Sequence, residues 1–506
     1  MPRNALLNIA ALCIAAFIMP MDITIVSLAL PYINAELHAS FIQQQLIIVV
    51  YNTTFTFFIV ISGRICRNYN AVRVFIAGSI FFGIISTFVG VAPSADFLIG
   101  ARIIQGICGA LVLISSTICV TSTFKRSKNF PLIIATYTSA IGAGVAFGPF
   151  VGGLLLASNS WRWVFLINLP IMLLVTLMTK IAGRIDLKSE LSVTHEPFEL
   201  KPLVFLFLGT LLYFIEFSSN VYRQQNMHGF HLSILSLACY VAFIVTENKS
   251  NSQIIEWSLF KIKDFTLIQI ISFANGIAFW ATLLFLPIFF QVGNGYTVTK
   301  AAVAMLPSTL PLLISPFIGA KLASKISDRK LFSWATFLLF MGNILLTMFV
   351  TLPASLWLIF GQLMSATGSG LINSELTRKS ALVVSENQTG EASSANMAIR
   401  HLAFTIGVLI LGFSLRSSIQ EHLQGINYPN GMPLEELSSV VAAGDFHSAT
   451  HSLSLSLQNS HAINKLRFVY QEGVTNTLFV STFMAFVCLV FSIFGLRGVI
   501  SHGTRK

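Results

Sequence analysis

Charged side chains are scarce in this sequence. Asp, Glu, Lys and Arg together make up 10% of its 506 residues, against about 25% in a soluble globular chain, which needs them to cover its surface in water. Most of the outer surface therefore cannot face water. Soluble enzyme, disordered scaffold and secreted module are excluded together. The six cysteines, Cys13, Cys66, Cys108, Cys119, Cys239 and Cys488, lie in or beside apolar runs. They show neither metal-ligand spacing nor a disulfide framework. Acidic residues are outnumbered 20 to 31 by basic ones, for a net charge of +11. No run of positives is dense enough to serve a nucleic acid.

What the chain has in abundance is apolar length. A helix crossing the hydrocarbon core needs about 20 mostly apolar residues. Fourteen stretches qualify: 6–29, 41–62, 72–92, 97–121, 131–157, 163–182, 202–218, 231–247, 265–290, 301–323, 331–351, 355–376, 396–415 and 475–496. The first is too long for a signal-peptide core and lacks a small-residue cleavage site, so it reads as a span. Cytoplasmic loops are enriched in Lys and Arg. With the N-terminus placed in the cytoplasm, twenty-three of the 31 basic residues fall on inner segments and six on outer ones. Both termini are thus expected to be cytoplasmic. The one long outer loop, 416–474, is polar and has room for a short helix near 434–443.

Sorting the basic residues leaves only Arg102 and Arg400 inside spans. Ionisable groups in the bilayer are costly and mark candidate functional sites. Asp22 lies roughly 24 Å from the inner face and Arg102 roughly 8 Å from the outer one, at 1.5 Å per helical residue. In a core about 30 Å thick these depths nearly coincide, so the two are expected to pair or to share a polar cavity. The alternative is that Arg102 snorkels to the outer interface. Glu375 and Arg400, near the inner ends of spans twelve and thirteen, form a second candidate pair. Glu216 sits at the outer end of span seven as a further candidate charge. Gly144, Gly148 and Gly152 recur every four residues of span five and share one face, a close-packing device. Pro149 adds a kink on the same turn, and together they suggest a helix contact that opens and closes.

These residues resemble a known family. Asp22-Ile-Thr-Ile-Val-Ser-Leu-Ala-Leu-Pro31 is similar to the first-span signature of the fourteen-span drug–proton antiporters of the major facilitator superfamily. Gln45 to Tyr51 resembles their second-span motif, with Leu46 in place of Trp. Arg102-Ile-Ile-Gln-Gly106 followed by Gly109 resembles the fourth-span motif. Gly148-Pro149-Phe-Val-Gly152-Gly153 resembles the antiporter motif of span five, and Trp161-Arg-Trp-Val-Phe-Leu-Ile-Asn168-Leu-Pro170 the entry to span six. Leu259-Phe-Lys-Ile-Lys-Asp-Phe265 and Pro307 sit where the family has later markers. With its long outer loop the chain looks most like the Emr-type inner-membrane subunit. One loop departs from the pattern. Gly63-Arg-Ile-Cys-Arg67, followed by Arg73, puts Arg67 where the family has an acidic residue, so the usual acid-to-helix gating contact is not expected there.

The resemblance implies an all-α membrane protein of the bacterial inner membrane. Its six-helix bundle at 1–182 would be followed by two linker spans within 183–264 and a second six-helix bundle within 265–506. It implies proton-coupled efflux of amphipathic small molecules by alternating access, with Asp22 and Arg102 as the coupling pair. The proton gradient would be the energy source, with no cofactor, no metal and no enzymatic activity. Membrane lipid, a periplasmic adaptor and an outer-membrane channel are the implied partners, and nucleic acid is not. The residues leave open a dedicated exporter of an endogenous product such as a siderophore. More remote are a non-transporting sensor and a membrane enzyme using His422, His447, His451 or His461, which lack metal-ligand spacing.

Overall fold

In lipid every backbone polar group must be satisfied internally, so apolar runs of this length have one economical conformation. The computed structural model describes residues 3–37, 39, 41–156, 160–183, 228–249, 256–352, 355–424, 434–442 and 460–495, with scattered positions between 202 and 212. Among these it is helical throughout. The helices are α1 Arg3–Leu37, α2 Phe41–Tyr69, α3 Ala71–Gly90, α4 Ala95–Phe124, α5 Phe130–Leu156 and α6 Trp163–Ile181, interrupted at Ile167. They continue with α7 His228–Lys249, α8 Lys263–Val292, α9 Val298–Ala304, α10 Leu306–Ala323, α11 Asp328–Phe349, α12 Leu356–Leu382, α13 Thr389–Leu423, α14 Leu434–Ala442 and α15 Ser460–Val490.

Ten described helices are long and apolar enough to cross a membrane. The helices α2 and α12 have the length as well, at 29 and 27 residues. Much of α12 is polar because it faces inward: Gln362, Ser365, Ser369, Asn373 and Glu375 on it are all buried. The expected seventh span lies almost wholly outside the described residues, as does Glu216. The expected tenth span is broken at Met305 into α9 and α10. The long outer loop is shorter than expected, since α13 runs on to Leu423 and α15 begins at Ser460, and α14 occupies the position expected for its short helix.

Tight turns join consecutive helices. Asn70 takes φ 70, a left-handed conformation that Asn tolerates, and its side chain accepts the Val72 amide at 3.0 Å, so α3 starts one residue after α2. Ser94 caps α4 in the same way through the Phe97 amide. The end of the bundle that holds this Asn70 turn and the α4–α5 turn also carries Arg67, Arg73, Lys125, Arg126 and Lys128. It is the basic end.

Packing repeats itself along the chain. In the first half α1 packs on α5, α2 on α4, α3 on α4 and on α6, and α1 on α6. In the second half α8 packs on α13, α10 on α12, α11 on α12 and on α15, and α8 on α15. These are the same pairs under one substitution of helices. Each half has its own apolar core. The contacts between halves obey the same symmetry, α5 against α10 and α2 against α13.

The glycines of α5 serve the α1 contact. A Cβ at Gly144 would fall on the backbone oxygen of Phe17, and one at Gly148 on Thr24 Oγ1. That contact lies inside one half and is not the seam between halves. The side chain of Pro149 and the surroundings of Gly153 lie outside the described residues, and Gly152 is buried. Replacing Gly148 with Leu is expected to push α5 off α1, a loss of at least the ~1–3 kcal/mol typical of overpacking. Gly100, with nothing within 4 Å of its Cβ position, provides the control. Melting temperatures of purified Gly148→Leu and Gly100→Leu should differ by several degrees, and equal values would contradict the packing argument.

Candidate functional site

Six side chains from five helices of the first half meet in one buried cluster. The route in is steric. Gly106 lets α4 approach α2 so closely that a Cβ there would lie 2.6 Å from the Tyr51 carbonyl oxygen. Arg102 and Gln105, three residues apart, share a face of α4. The break at Ile167 starts the second segment of α6 at Asn168.

Arg102 Nη1 donates to Asp22 Oδ2 at 2.8 Å and to Gln105 Oε1 at 2.9 Å. Its Nε donates to the Ile47 carbonyl at 3.4 Å. Asp22 Oδ1 accepts from Asn168 Nδ2 at 2.9 Å and from Gln105 Nε2 at 3.3 Å. Both amides also reach Ser86 Oγ, at 2.9 and 3.1 Å, and Ser86 donates to the Phe165 carbonyl at 2.9 Å. The Arg102 guanidinium carbon stands 3.9 Å from the Tyr51 ring centroid, a desolvated cation–π contact. Arg102 is 1% exposed and Asp22 2%, so Arg102 does not snorkel. The pair expected from depth is made. Two groups at its edge stay unpartnered, Tyr51 OH and Asn168 Oδ1. Gln45 is on α2, but its side chain lies outside the described residues.

The second half repeats this cluster without charge. Thr282 on α8 donates to Ser481 on α15 at 2.8 Å, and Ser481 reaches Asn343 Oδ1 on α11 at 3.3 Å. These helices correspond to α1, α6 and α3 under the packing symmetry. Among the described residues this second cluster holds no carboxylate, so the group able to carry a proton is in the first. Sequence reasoning passed over Ser86 and gave Gln105 and Asn168 no role of their own. A lone Ser in an apolar span carries no signal, whereas two amides inside quoted motifs could have been paired with Asp22 by depth.

At the basic end the two halves are joined by charge. Arg67 donates to Glu391 at 2.8 Å from α2 to α13. The acid-to-helix contact not expected at this loop is replaced by an ion pair in which the loop supplies the base and α13 the acid. Gly63 faces Ser394, on which a Cβ would fall. Arg126 holds Glu386 through both nitrogens it presents, and Lys125 Nζ donates to Thr389 Oγ1 at 2.8 Å and to the Val384 carbonyl at 3.2 Å. Arg73 is exposed. Further in, Thr121 meets Ser393 at 2.9 Å.

Glu375 and Arg400 do not pair, a second correction. Glu375 is taken by Arg378 one turn along α12 at 2.5 Å, and Arg378 also reaches Asp328 at 3.5 Å. Arg400 instead donates from Nη2 to Thr377 Oγ1 at 3.1 Å and to Asn396 Oδ1 at 3.2 Å. It lines a cavity of about 10 Å³ on the seam between halves, with Ile141, Gly142, Leu312, Trp280 and Asn373.

The family model described as Major Facilitator Superfamily matches residues 12–408. Among curated proteins, Multidrug resistance protein 3 of Bacillus subtilis is 28% identical over 401 residues, 78% of this chain and 76% of that one. Multidrug export protein EmrB of Escherichia coli is 29% identical over 332 residues, covering 64% of this chain and 63% of its own length. The solved structure of the proton:xylose symporter XylE superposes with a TM-score of 0.58 over 94% of each chain at 12% identity. The human organic anion transporter MFSD10 gives 0.60 over 96% of this chain and all of that one at 13% identity. Both likenesses are of fold.

Two outcomes are expected. Replacing Arg102 with Leu leaves a buried carboxylate unpaired and should destabilise by about 3–5 kcal/mol, most of which Asp22→Asn in the same chain should restore. Additive losses in the thermal melts of the single and double variants would mean the two do not act as a pair. The Arg126 hydrogen bond holds the Glu386 carboxyl below its ordinary 4.5. A carboxyl depressed on closure stabilises the closed basic end above its ordinary value, and that contribution is lost as pH falls through the lower one. Spin labels flanking the Arg126–Glu386 contact should therefore report one distance at pH 7 and 5.5 and a longer one only well below 4.5.

Proposed function

The chain belongs to the Major Facilitator Superfamily, and from that premise we propose that it expels amphipathic small molecules from the cell in exchange for protons. It is a multi-pass membrane protein with transporters for relatives. The names of those relatives, multidrug resistance and multidrug export proteins, support drug-type efflux as its activity. The observation that carries the coupling is the buried Asp22–Arg102 pair. Asp22 accepts from three side chains on two other helices, so a proton arriving on it removes an acceptor from Arg102, Gln105 or Asn168. The released donors must find new partners, which requires α1, α4 and α6 to shift. Protonation and helix position are thereby linked.

Alternating access is supported by where the halves touch. Ion pairs close the basic end, and the pseudo-symmetric seam of α5 with α10 and α2 with α13 is the surface along which two rigid halves can rock. By the positive-inside rule the basic end is the cytoplasmic one, and both termini are cytoplasmic. The membrane is the bacterial inner membrane. The outer segment bearing α14 is the surface a periplasmic adaptor would meet. One proton crossing 100 mV supplies about 2.3 kcal/mol, which sustains a substrate gradient of roughly fifty-fold.

In vesicles with an imposed pH gradient, the wild-type chain is expected to drive efflux of an amphipathic dye and to admit protons as it does so. Asp22→Asn should keep substrate binding and lose the proton flux. Unchanged proton-coupled efflux in that variant would remove Asp22 as the carrier.

A further inference from the structure

Arg102 and Arg400 are the two arginines set well inside apolar spans, both buried, and they are treated oppositely. Arg102 has its carboxylate. Arg400 is 8% exposed and, among the described residues, no carboxylate bonds to it. Its two recorded acceptors are a threonine hydroxyl and an asparagine carbonyl. Asn396 in turn is held by Gln269 at 2.9 Å, so the surroundings are polar and neutral. The nearest carboxylate in sequence on the facing helix, Glu375, is consumed by Arg378. A buried guanidinium without a counterion is costly and in a membrane span marks a substrate or ion pathway.

A second observation points the same way. Arg400 Nε and Trp280 Nε1 are both buried donors without a partner, and both residues line the seam cavity. Trp280 stands on a π-helical turn, Gly276–Ala281, that interrupts α8, a distortion often found at functional sites. Gly276 brings that turn against α13, where a Cβ would lie 3.3 Å from the Arg400 carbonyl. The lining also includes Thr138 and Asn373, and its apolar part comes from both halves, Ile141 from one and Leu312 from the other. Unpartnered donors, one of them charged, beside that apolar surface describe a ligand with an acceptor-only charged end and an apolar body. A water can take the idle hydrogen bonds but cannot balance the charge.

We propose that this cleft binds the anionic end of an amphipathic substrate, a carboxylate or sulfonate, through Arg400 and Trp280. The inference rests on the antiport reading and narrows its substrate class to organic anions. Gly142 and Leu312, whose approach would bring a Cβ at the glycine to 3.0 Å, must part to admit the body of the substrate. Charge balance follows: at one proton in per monovalent anion out, two elementary charges cross the membrane per cycle. A monovalent cation on the same stoichiometry would move none.

The test is equilibrium binding of labelled 1-naphthaleneacetate to the full chain in lipid nanodiscs, beside the equally sized 1-naphthylmethylammonium. The carboxylate is expected to bind about ten- to a hundred-fold more tightly, the range of a charged hydrogen bond. Arg400→Gln should erase that preference and Arg400→Lys should keep part of it. Trp280→Phe, which retains the ring and loses the donor, gives a smaller loss and a second reading should Arg400→Gln not fold. Equal binding of the two probes by the wild type, or a preference surviving Arg400→Gln, would overturn the proposal. Asp22→Asn separates the two readings. Carboxylate preference with proton flux indifferent to Asp22 would sink antiport alone, whereas proton-coupled efflux of the ammonium probe would sink only the anion site.

Discussion

An ion inside a bilayer has no water to fall back on, and this single constraint organises the first half of the molecule. Arg102 can be buried only if a carboxylate reaches it, and Asp22 only if its second oxygen is also engaged. Meeting both requirements recruits Gln105 from the same helix, Asn168 from α6 and Ser86 from α3. The close helix contacts follow from the same demand. Gly106 brings α4 against α2 and puts the Tyr51 ring over the guanidinium. Five of the six helices are thus tied to one ion pair. A change in the charge of that pair has no local remedy, which is the property a coupling site needs.

The pseudo-symmetry sharpens this point. Thr282, Ser481 and Asn343 join the same three topological positions with neutral hydrogen bonds, so the architecture does not require a charge there. The helix that carries Asp22 corresponds to α8, whose buried polar contact here is made by the Thr282 hydroxyl. A buried ion kept where a neutral group would serve has a functional explanation more readily than a structural one, since buried ion pairs are weak contributors to stability. The seam between halves shows a related economy. Its ion pairs, Arg67 with Glu391 and Arg126 with Glu386, lie at the basic end, where breaking them in the proposed cycle would expose charges to water and not to lipid.

Depth was legible in the sequence; rotation was not. Counting residues from the span ends located Asp22 and Arg102 at one level, and the composition of α5 announced close packing at Gly144 and Gly148. The spans along α1 to α6 and α8 to α13 follow the apolar runs apart from the breaks at Ile167 and Met305, because hydrophobic length is the quantity that a membrane reads. What residue counting lacks is the angle about each helix axis. Glu375 and Arg400 are also at similar depth, yet Glu375 turns toward Arg378 and Asp328 while Arg400 turns toward the seam. The π turn in α8 and the break in α6 alter that angle further; Pro170, which cannot donate to the Leu166 carbonyl, signals the break, and nothing in Gly276–Ala281 signals the π turn. Arg67 shows a different limit. A position read against a family pattern as lacking its acidic residue supplies the opposite charge, and Glu391 supplies the complement from the other half.

The missed pairing is more informative than the one that was made. Had Glu375 reached Arg400, the bundle would hold two closed ion pairs and no charge on its central seam. Because a nearer arginine takes Glu375, the second half keeps one buried guanidinium near the inner end of its span with neutral company, on a cavity it shares with Ile141 and Gly142. The two halves then divide the electrostatic work. The first buries a carboxylate whose partner is already present, so the only thing left for it to bind is a proton. The second buries a guanidinium whose partner is absent, so the thing left for it to bind is an anion. Under the proposed alternating access both sites lie within helices that would move as the seam opened, and a proton on one side and an anion on the other would each favour whichever arrangement best satisfies its own charge. Exchange of one for the other needs no direct contact between them, only a shared dependence on how the halves are set.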